Sequence, residues 1–461
     1  MQQVLVRCRS GKTNDKPVMS IRQLRPFPLR LTCAGLMAWP LALWAQTPLG
    51  LNQVLDAASS NLEVSISQRN LDAARADILS ADHAPLPVLS ARTSSIDLQN
   101  GIGGGNVWRD KKIDKGLGLD YTYERGNKRE LRTLSAQSSA RAAAQELAQT
   151  RRQQLLLAFT AYFDWLARIE RHQHVQAVAT ASRQQAQAAE RRLRAGDMSR
   201  QDEMRWQIEA SRAEADVPAA QAAQQRALQT LRQITRLSNP PDGWIPSQSW
   251  PQESLALVDP NQWPQRLSLW VDQRPDVIGA QERLDAARNA LALAMAQKKS
   301  DITWGTSVDH YPGTSNRLLE LRMQMPLQWN YSYQGEIARA QAQALQSQDL
   351  LEQTRAQANT ELNGLYQDYV AARSRWQAHR DEIGPKARQV MEQAELAYQK
   401  GGLSLTDLLD ARRTYHNTWL DGLSARLDHA VAFAGLLLQG ETEPMARQQL
   451  ISSAPAVGDR R

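Results

Sequence analysis

Two stretches of the chain place carboxylates in the same setting. Gly196-Asp-Met-Ser199 is followed by Asp202, and Gly401-Gly-Leu-Ser404 by Asp407 and Asp410. In each, an aspartate stands three residues past a serine that stands three past a glycine. Such acids can cap a helix, because negative charge favours the first helical turn. Repeated around one narrow opening, they can also attract cations. Other combinations offer less chemistry. His172 and His174 are two apart on a helix and face different directions, so they are poor joint metal ligands. Gly101-Ile-Gly-Gly-Gly-Asn106 lacks dinucleotide spacing and reads as an exposed loop between strands, and His310-Tyr-Pro312 reads as a second outer loop. Both cysteines, Cys8 and Cys33, lie in a leader described below, and the seven histidines are scattered. No nucleophile–base pair, no metal centre and no cofactor is expected, and neither is an enzyme.

The elements that position these acids are long. From Lys128 to Ala195 there is no Pro or Gly, which predicts one helix on the order of 100 Å. Leu155, Phe159, Tyr162, Leu166 and Ile169 step four and three residues along it, as in a coiled-coil seam. Glu336 to Lys400 is as long, with Leu351, Thr354, Ala358, Leu362, Leu365 and Tyr369 on a similar stripe, and Gly384-Pro385 predicts a kink. Strands are read from alternation. Leu319 to Trp329 is apolar at every second position, with Ile302 to Val308 as partner. Leu117 to Tyr123 and, more poorly, Val88 to Leu98 are the counterparts in the first half. Ten alternating residues suit a tilted strand crossing a bilayer core of roughly 30 Å.

The chain repeats itself. Leu-Asp-Ala-Ala-Arg occurs at Leu71–Arg75 and at Leu284–Arg288, and each copy reads as helix, two strands, very long helix, turn and return helix. The copies span 46–237 and 274–440. Between them, 238–273 is rich in Pro and Trp and reads as a belt against the helices; 441–461 reads as a disordered tail. At the start, Arg22, Arg25 and Arg30 precede the apolar run Leu31–Ala45, the pattern of a secretory signal peptide over 1–45. Those residues hold seven Lys or Arg against Asp15, so the net charge of +7 falls to +1 after their removal. The basic balance is therefore no sign of a nucleic-acid partner. Four strands cannot close a barrel, and a sheet with free edges is not tolerated in lipid. Several chains must pool their strands.

With these residues, the arrangement resembles the TolC family of outer-membrane efflux channels over almost the whole mature chain. Arg274–Arg288 is similar to the segment opening the family's second repeat, and Glu382–Ser404 to its long helix and periplasmic turn. Glu124–Arg132 and Tyr331–Ala344 are similar to strand-to-helix junctions of the CzcC-like branch that serves heavy-metal pumps, with Asn127 in place of a usual glycine. The resemblance implies a mainly α protein with a membrane β-barrel. Long helical hairpins form an α-barrel, and four strands per chain join a twelve-stranded barrel in a homotrimer. It implies an outer-membrane location in a Gram-negative bacterium, contact with outer-membrane lipid, and passive export with a periplasmic adaptor and an inner-membrane pump, metal cations being one cargo class. Asp407 and Asp410 match the pore-constricting aspartates, and Asp202 and Tyr398 match partners that hold the tip closed. Gly196, Ser199, Gly401 and Ser404 match the turns facing the adaptor. Leu403 stands where relatives often carry an arginine that reaches the neighbouring chain's counterpart of Asp202. The rival reading is a soluble periplasmic coiled-coil adaptor or structural protein, which needs the helices and leaves the Leu319–Trp329 alternation unexplained.

Overall fold

A computed structural model describes residues 47–101, 104–106, 113–238, 240, 243–251, 261–312 and 315–454. The expected signal peptide, with both cysteines, lies outside the described residues.

The duplication is visible in the order of elements. In the first copy, helix α1 (Leu51–Ser59) and helix α2 (Leu62–Ala81) precede strands β2 (Val88–Ser94) and β3 (Asp114–Tyr123). Helix α3 (Lys128–Ala195) and its return helix α4 (Arg200–Thr235) follow. The second copy runs from α6 (Pro275–Ala296) through β5 (Ile302–Tyr311) and β6 (Ser315–Gln324) to α7 (Gln334–Ala378), α8 (Gly384–Gln399) and α9 (Leu405–Gly440). Leu71 and Leu284, the first residues of the repeated Leu-Asp-Ala-Ala-Arg, are both buried, so the motif marks equivalent packing positions.

Helix α3 has the bounds that its Pro- and Gly-free run predicts. The second long helix is interrupted: a π-helical turn, His379–Ile383, stands between α7 and α8, with Pro385 in the first turn of α8. Pro has no N–H to donate, and the π turn absorbs the resulting break in the ladder. Helix α4 carries Pro218 inside its span, where no sequence signal foresees a continuous helix.

The four strands form one antiparallel sheet in the order β2-β3-β5-β6. Register aligns Ala91, Leu117, Val308 and Leu319 across it, with Leu89, Leu119, Thr306 and Leu321 in the next row. Leu117, Val308, Leu319 and Leu321 are exposed, Leu321 at 78%. The opposite face is polar. Arg92 reaches Asp309 at 3.3 Å, Arg322 reaches Asp120 at 2.6 Å, and the Thr122 and Thr303 hydroxyls share a hydrogen bond of 2.9 Å. Gly116 and Gly305 leave the room these acids occupy: a Cβ at either position would collide with the carboxylate of Asp309 or Asp120. Two expected strands end early. β6 stops at Gln324 although the alternation runs on to Trp329, because Pro326 cannot donate to a ladder. β2 stops at Ser94, before Ser95 takes φ of 60°.

The main core gathers where the copies meet. Phe159, Tyr162, Phe163 and Trp165 of α3 pack with Leu436, Leu437 and Leu438 of α9 and with Trp250, Trp263 and Trp270 of the belt. The belt contains strand β4 (Trp244–Pro246), which pairs in parallel with β1 (Thr47–Leu49), and helix α5 (Trp263–Gln273). Tyr162 ties these pieces together, its hydroxyl donating to the Leu49 carbonyl and accepting from the Gln248 N–H, each at 3.2 Å. Trp263 stacks on Tyr366 at 4.2 Å and donates to Asn363 Oδ1 at 2.9 Å. The expected disordered tail is corrected in part. Glu443–Ser453 forms helix α10, because Ala446 and Leu450 give it an apolar face that the core buries. No helix among the described residues is long and apolar enough to cross a membrane.

Candidate functional site: the two interhelical turns

The turn after α3 and the turn after α8 are the same structure built twice. Gly196 adopts φ of 81° and Gly401 φ of 78°, left-handed conformations that cost a side-chain residue energy. The Gly196 N–H donates to the Leu193 carbonyl at 3.0 Å and the Asp197 N–H to Arg192 at 2.9 Å. The Gly401 N–H donates to Tyr398 at 3.0 Å and the Gly402 N–H to Ala397 at 2.9 Å. This pair of bonds satisfies the last carbonyls of each long helix. Two residues on, the return helix starts on a serine cap. Ser199 accepts from the Asp202 N–H at 3.1 Å and donates its hydroxyl to the Asp202 carboxylate at 2.8 Å. Ser404 treats Asp407 in the same way, at 3.3 and 2.7 Å. The Gly-x-x-Ser-x-x-Asp spacing is thus a helix stop followed by a helix start.

Capping accounts for the position of Asp202 and Asp407 and not for Asp410. Asp407 and Asp410 are exposed on one side of α9, while Leu405, Leu408 and Leu409 are buried on the other. Neither acid is paired with a cation within 4.0 Å among the described residues; Asp407's partner is its own cap, Ser404. Two exposed carboxylates one helical turn apart put negative charge on this face, with Arg413 acting on Asp410 from beyond contact distance.

The apolar side closes the tip. Trp206 of α4 is buried with Ala189, Leu405, Leu408 and Leu409, and Met198, Tyr398 and Leu403 pack against them. Polar links cross between the hairpins around this cluster. Arg205 donates to the Thr406 hydroxyl at 2.9 Å, Arg413 to Glu209 at 2.7 Å, and the Arg412 guanidinium lies 5.3 Å from the Trp206 ring centre while bonded to Glu395. Asp202 and Tyr398 therefore belong to one tip but are not joined by a hydrogen bond within the chain. The Asp202 carboxylate goes to Ser199 and, at 3.8 Å, to Arg205.

Sequence reasoning missed Trp206, Arg205, Arg412 and Arg413. The contacts they make between the hairpins join residues some two hundred positions apart, and a Trp in a polar helix is the one local signal. Spacing along one helix relates His174 only to His172. The structure sets His174 beside His416 of α9 instead, with Nε2 and Nδ1 3.1 Å apart. Burial, and then the neighbouring His416, pushes the His174 imidazole down to about 4, and burial also lowers His416.

Residues 54–235, from α1 to the last residue of α4, match the family model of outer membrane efflux proteins. That match covers the first copy of the repeat. Members of that family are outer-membrane channels and not enzymes. The cobalt-zinc-cadmium resistance protein CzcC of Cupriavidus metallidurans is 24% identical over 371 residues, covering 80% of this chain and 84% of that protein. Among solved structures, CusC superposes with a TM-score of 0.72 at 17% identity, over 88% of this chain and 95% of CusC. The open state of the Neisseria gonorrhoeae MtrE outer membrane channel gives 0.68 at 17% identity, over 84% and 88%. These likenesses extend over both copies and show that the fold is shared.

Proposed function

We propose that three copies of this chain assemble into one conduit that carries solutes out through the outer membrane as the exit channel of a tripartite efflux system. The sheet is the observation that supports this most. It has two open edges, β2 and β6, and an outward face of exposed Leu, Val, Tyr and Trp that water would not favour. Three such sheets joined edge to edge remove every free edge and give the apolar face to lipid. Arg92, Asp120, Asp309 and Arg322 then line the lumen.

In this reading the turns at Gly196–Ser199 and Gly401–Ser404 face a periplasmic adaptor, which in turn meets an inner-membrane pump. Asp407 and Asp410, three times over, ring the aperture, and Asp202 and Tyr398 sit in the contacts that keep it narrow. Divalent metal cations are the proposed cargo, on the likeness to a cobalt-zinc-cadmium resistance protein and the acidic aperture. A soluble coiled-coil role leaves the apolar sheet face without a covering. Reconstitution in planar bilayers tests the reading: cation-preferring channels blocked by multivalent cations are expected, and absence of any conductance from correctly folded protein would refute it.

A further inference from the structure

His174 and His416 come from different copies of the repeat, 242 positions apart, yet their facing nitrogens are 3.1 Å from one another and their rings are within 15° of parallel. Trp419, one turn along α9, stacks on His174 with ring centres 3.9 Å apart and planes within 9°. That stack fixes the His174 ring. The contact between the imidazoles uses one nitrogen as donor and the other as acceptor. The same separation suits a shared ion. At the usual Zn–N distance of about 2.0–2.1 Å, two nitrogens lie about 2.9 Å apart at a right angle and about 3.4 Å apart at the tetrahedral angle.

We propose that His174 and His416 form a two-imidazole site for a borderline divalent cation of the Zn2+, Co2+ and Cu2+ class, which ties α3 of the first copy to α9 of the second. Neutral imidazole is a suitable ligand for these ions. With Trp419 holding His174, the adjustment from hydrogen bond to shared ligation falls on rotation of the His416 ring. Charges of both signs surround the pair. Asp216 and Glu209 of α4 act on His416 in favour of a cation and Arg171 of α3 against it. Glu209 is held by Arg413, which leaves Asp216 as an exposed carboxylate with no ion pair among the described residues. Water completes the coordination. The site lies along the helices, away from the tip cluster, and is independent of what the channel exports.

The test uses full-length trimer in detergent at neutral pH, titrated with Cu2+ and read by electron paramagnetic resonance and equilibrium dialysis. One Cu2+ per chain with two coordinated nitrogens is expected, with binding at least ten-fold weaker in both His174→Gln and His416→Gln and unchanged in His172→Gln. Because His174→Gln removes the stack on Trp419, His416→Gln, which keeps it, is the deciding variant. Wild-type affinity in His416→Gln, or no binding by wild type at micromolar Cu2+, overturns the proposal.

Discussion

Arg205 at the start of α4 donates to the hydroxyl of Thr406 at the start of α9, across 2.9 Å and 201 positions of chain. The two capped turns are therefore one object, with Trp206 of the first buried against Leu405, Leu408 and Leu409 of the second. Cohesion at the tip within a chain is mainly apolar. Removing a buried aromatic costs about 3–5 kcal/mol, whereas an exposed polar link is worth about 1 kcal/mol or less. Trp206→Ala should raise single-channel conductance in planar bilayers and speed proteolysis at the turns, and Arg205→Ala should do so weakly. Equal conductance in wild type and Trp206→Ala would show that the tip does not set the aperture.

Selectivity separates the aperture role of the acids from capping. Replacing Asp407 and Asp410 together by Ala should move the reversal potential in a salt gradient toward zero and weaken block by multivalent cations. Ser404→Ala removes the cap, at about 1 kcal/mol of helix stability, and should leave the reversal potential in place. Loss of cation preference in the Ser404 variant alone would assign the effect to the turn's shape.

Leu403 packs into the tip cluster, so no charge is supplied from that position. In the proposed trimer, Leu403→Arg is expected to place a cation within reach of a neighbouring chain's Asp202. Each such exposed pair is worth about 0–1 kcal/mol, but three act on one opening. Conductance should fall in low salt and recover in high salt. Tyr398 packs its ring without a hydrogen bond within the chain, so Tyr398→Phe should be silent and Tyr398→Ala should raise conductance. A large effect of Tyr398→Phe would mean its hydroxyl bonds to another chain.

The two faces of the sheet should respond oppositely to charge. Leu321 is exposed on the apolar face, and Leu321→Lys at bilayer depth should cost about 2–4 kcal/mol and lower the yield of heat-modifiable trimer. Glu320→Gln, one residue away and on the other face, should leave the yield unchanged. Equal tolerance at both positions would argue against a lipid-facing sheet.

The legible parts of this fold are those decided by neighbours in sequence. The bounds of α3 follow from a run without Pro or Gly, and both turns follow from a glycine that ends a helix and a serine that starts one. Strand positions follow from alternation, but strand ends do not, because alternation continues past Pro326 where the ladder cannot. Helix α10 was hidden by its short length: two apolar residues, Ala446 and Leu450, suffice only because a core is present to receive them. Contacts between the copies were not legible at all. Arg205–Thr406, Arg413–Glu209 and His174–His416 each join residues more than two hundred positions apart, and no spacing within one helix encodes them.

Strands pooled between chains require an oligomer, and the molar mass of the detergent-purified protein measures it. Light scattering with the detergent contribution removed, or native mass spectrometry, should give three times the mass of one mature chain. A stable monomer that nonetheless conducts ions across a bilayer would contradict the pooling of strands.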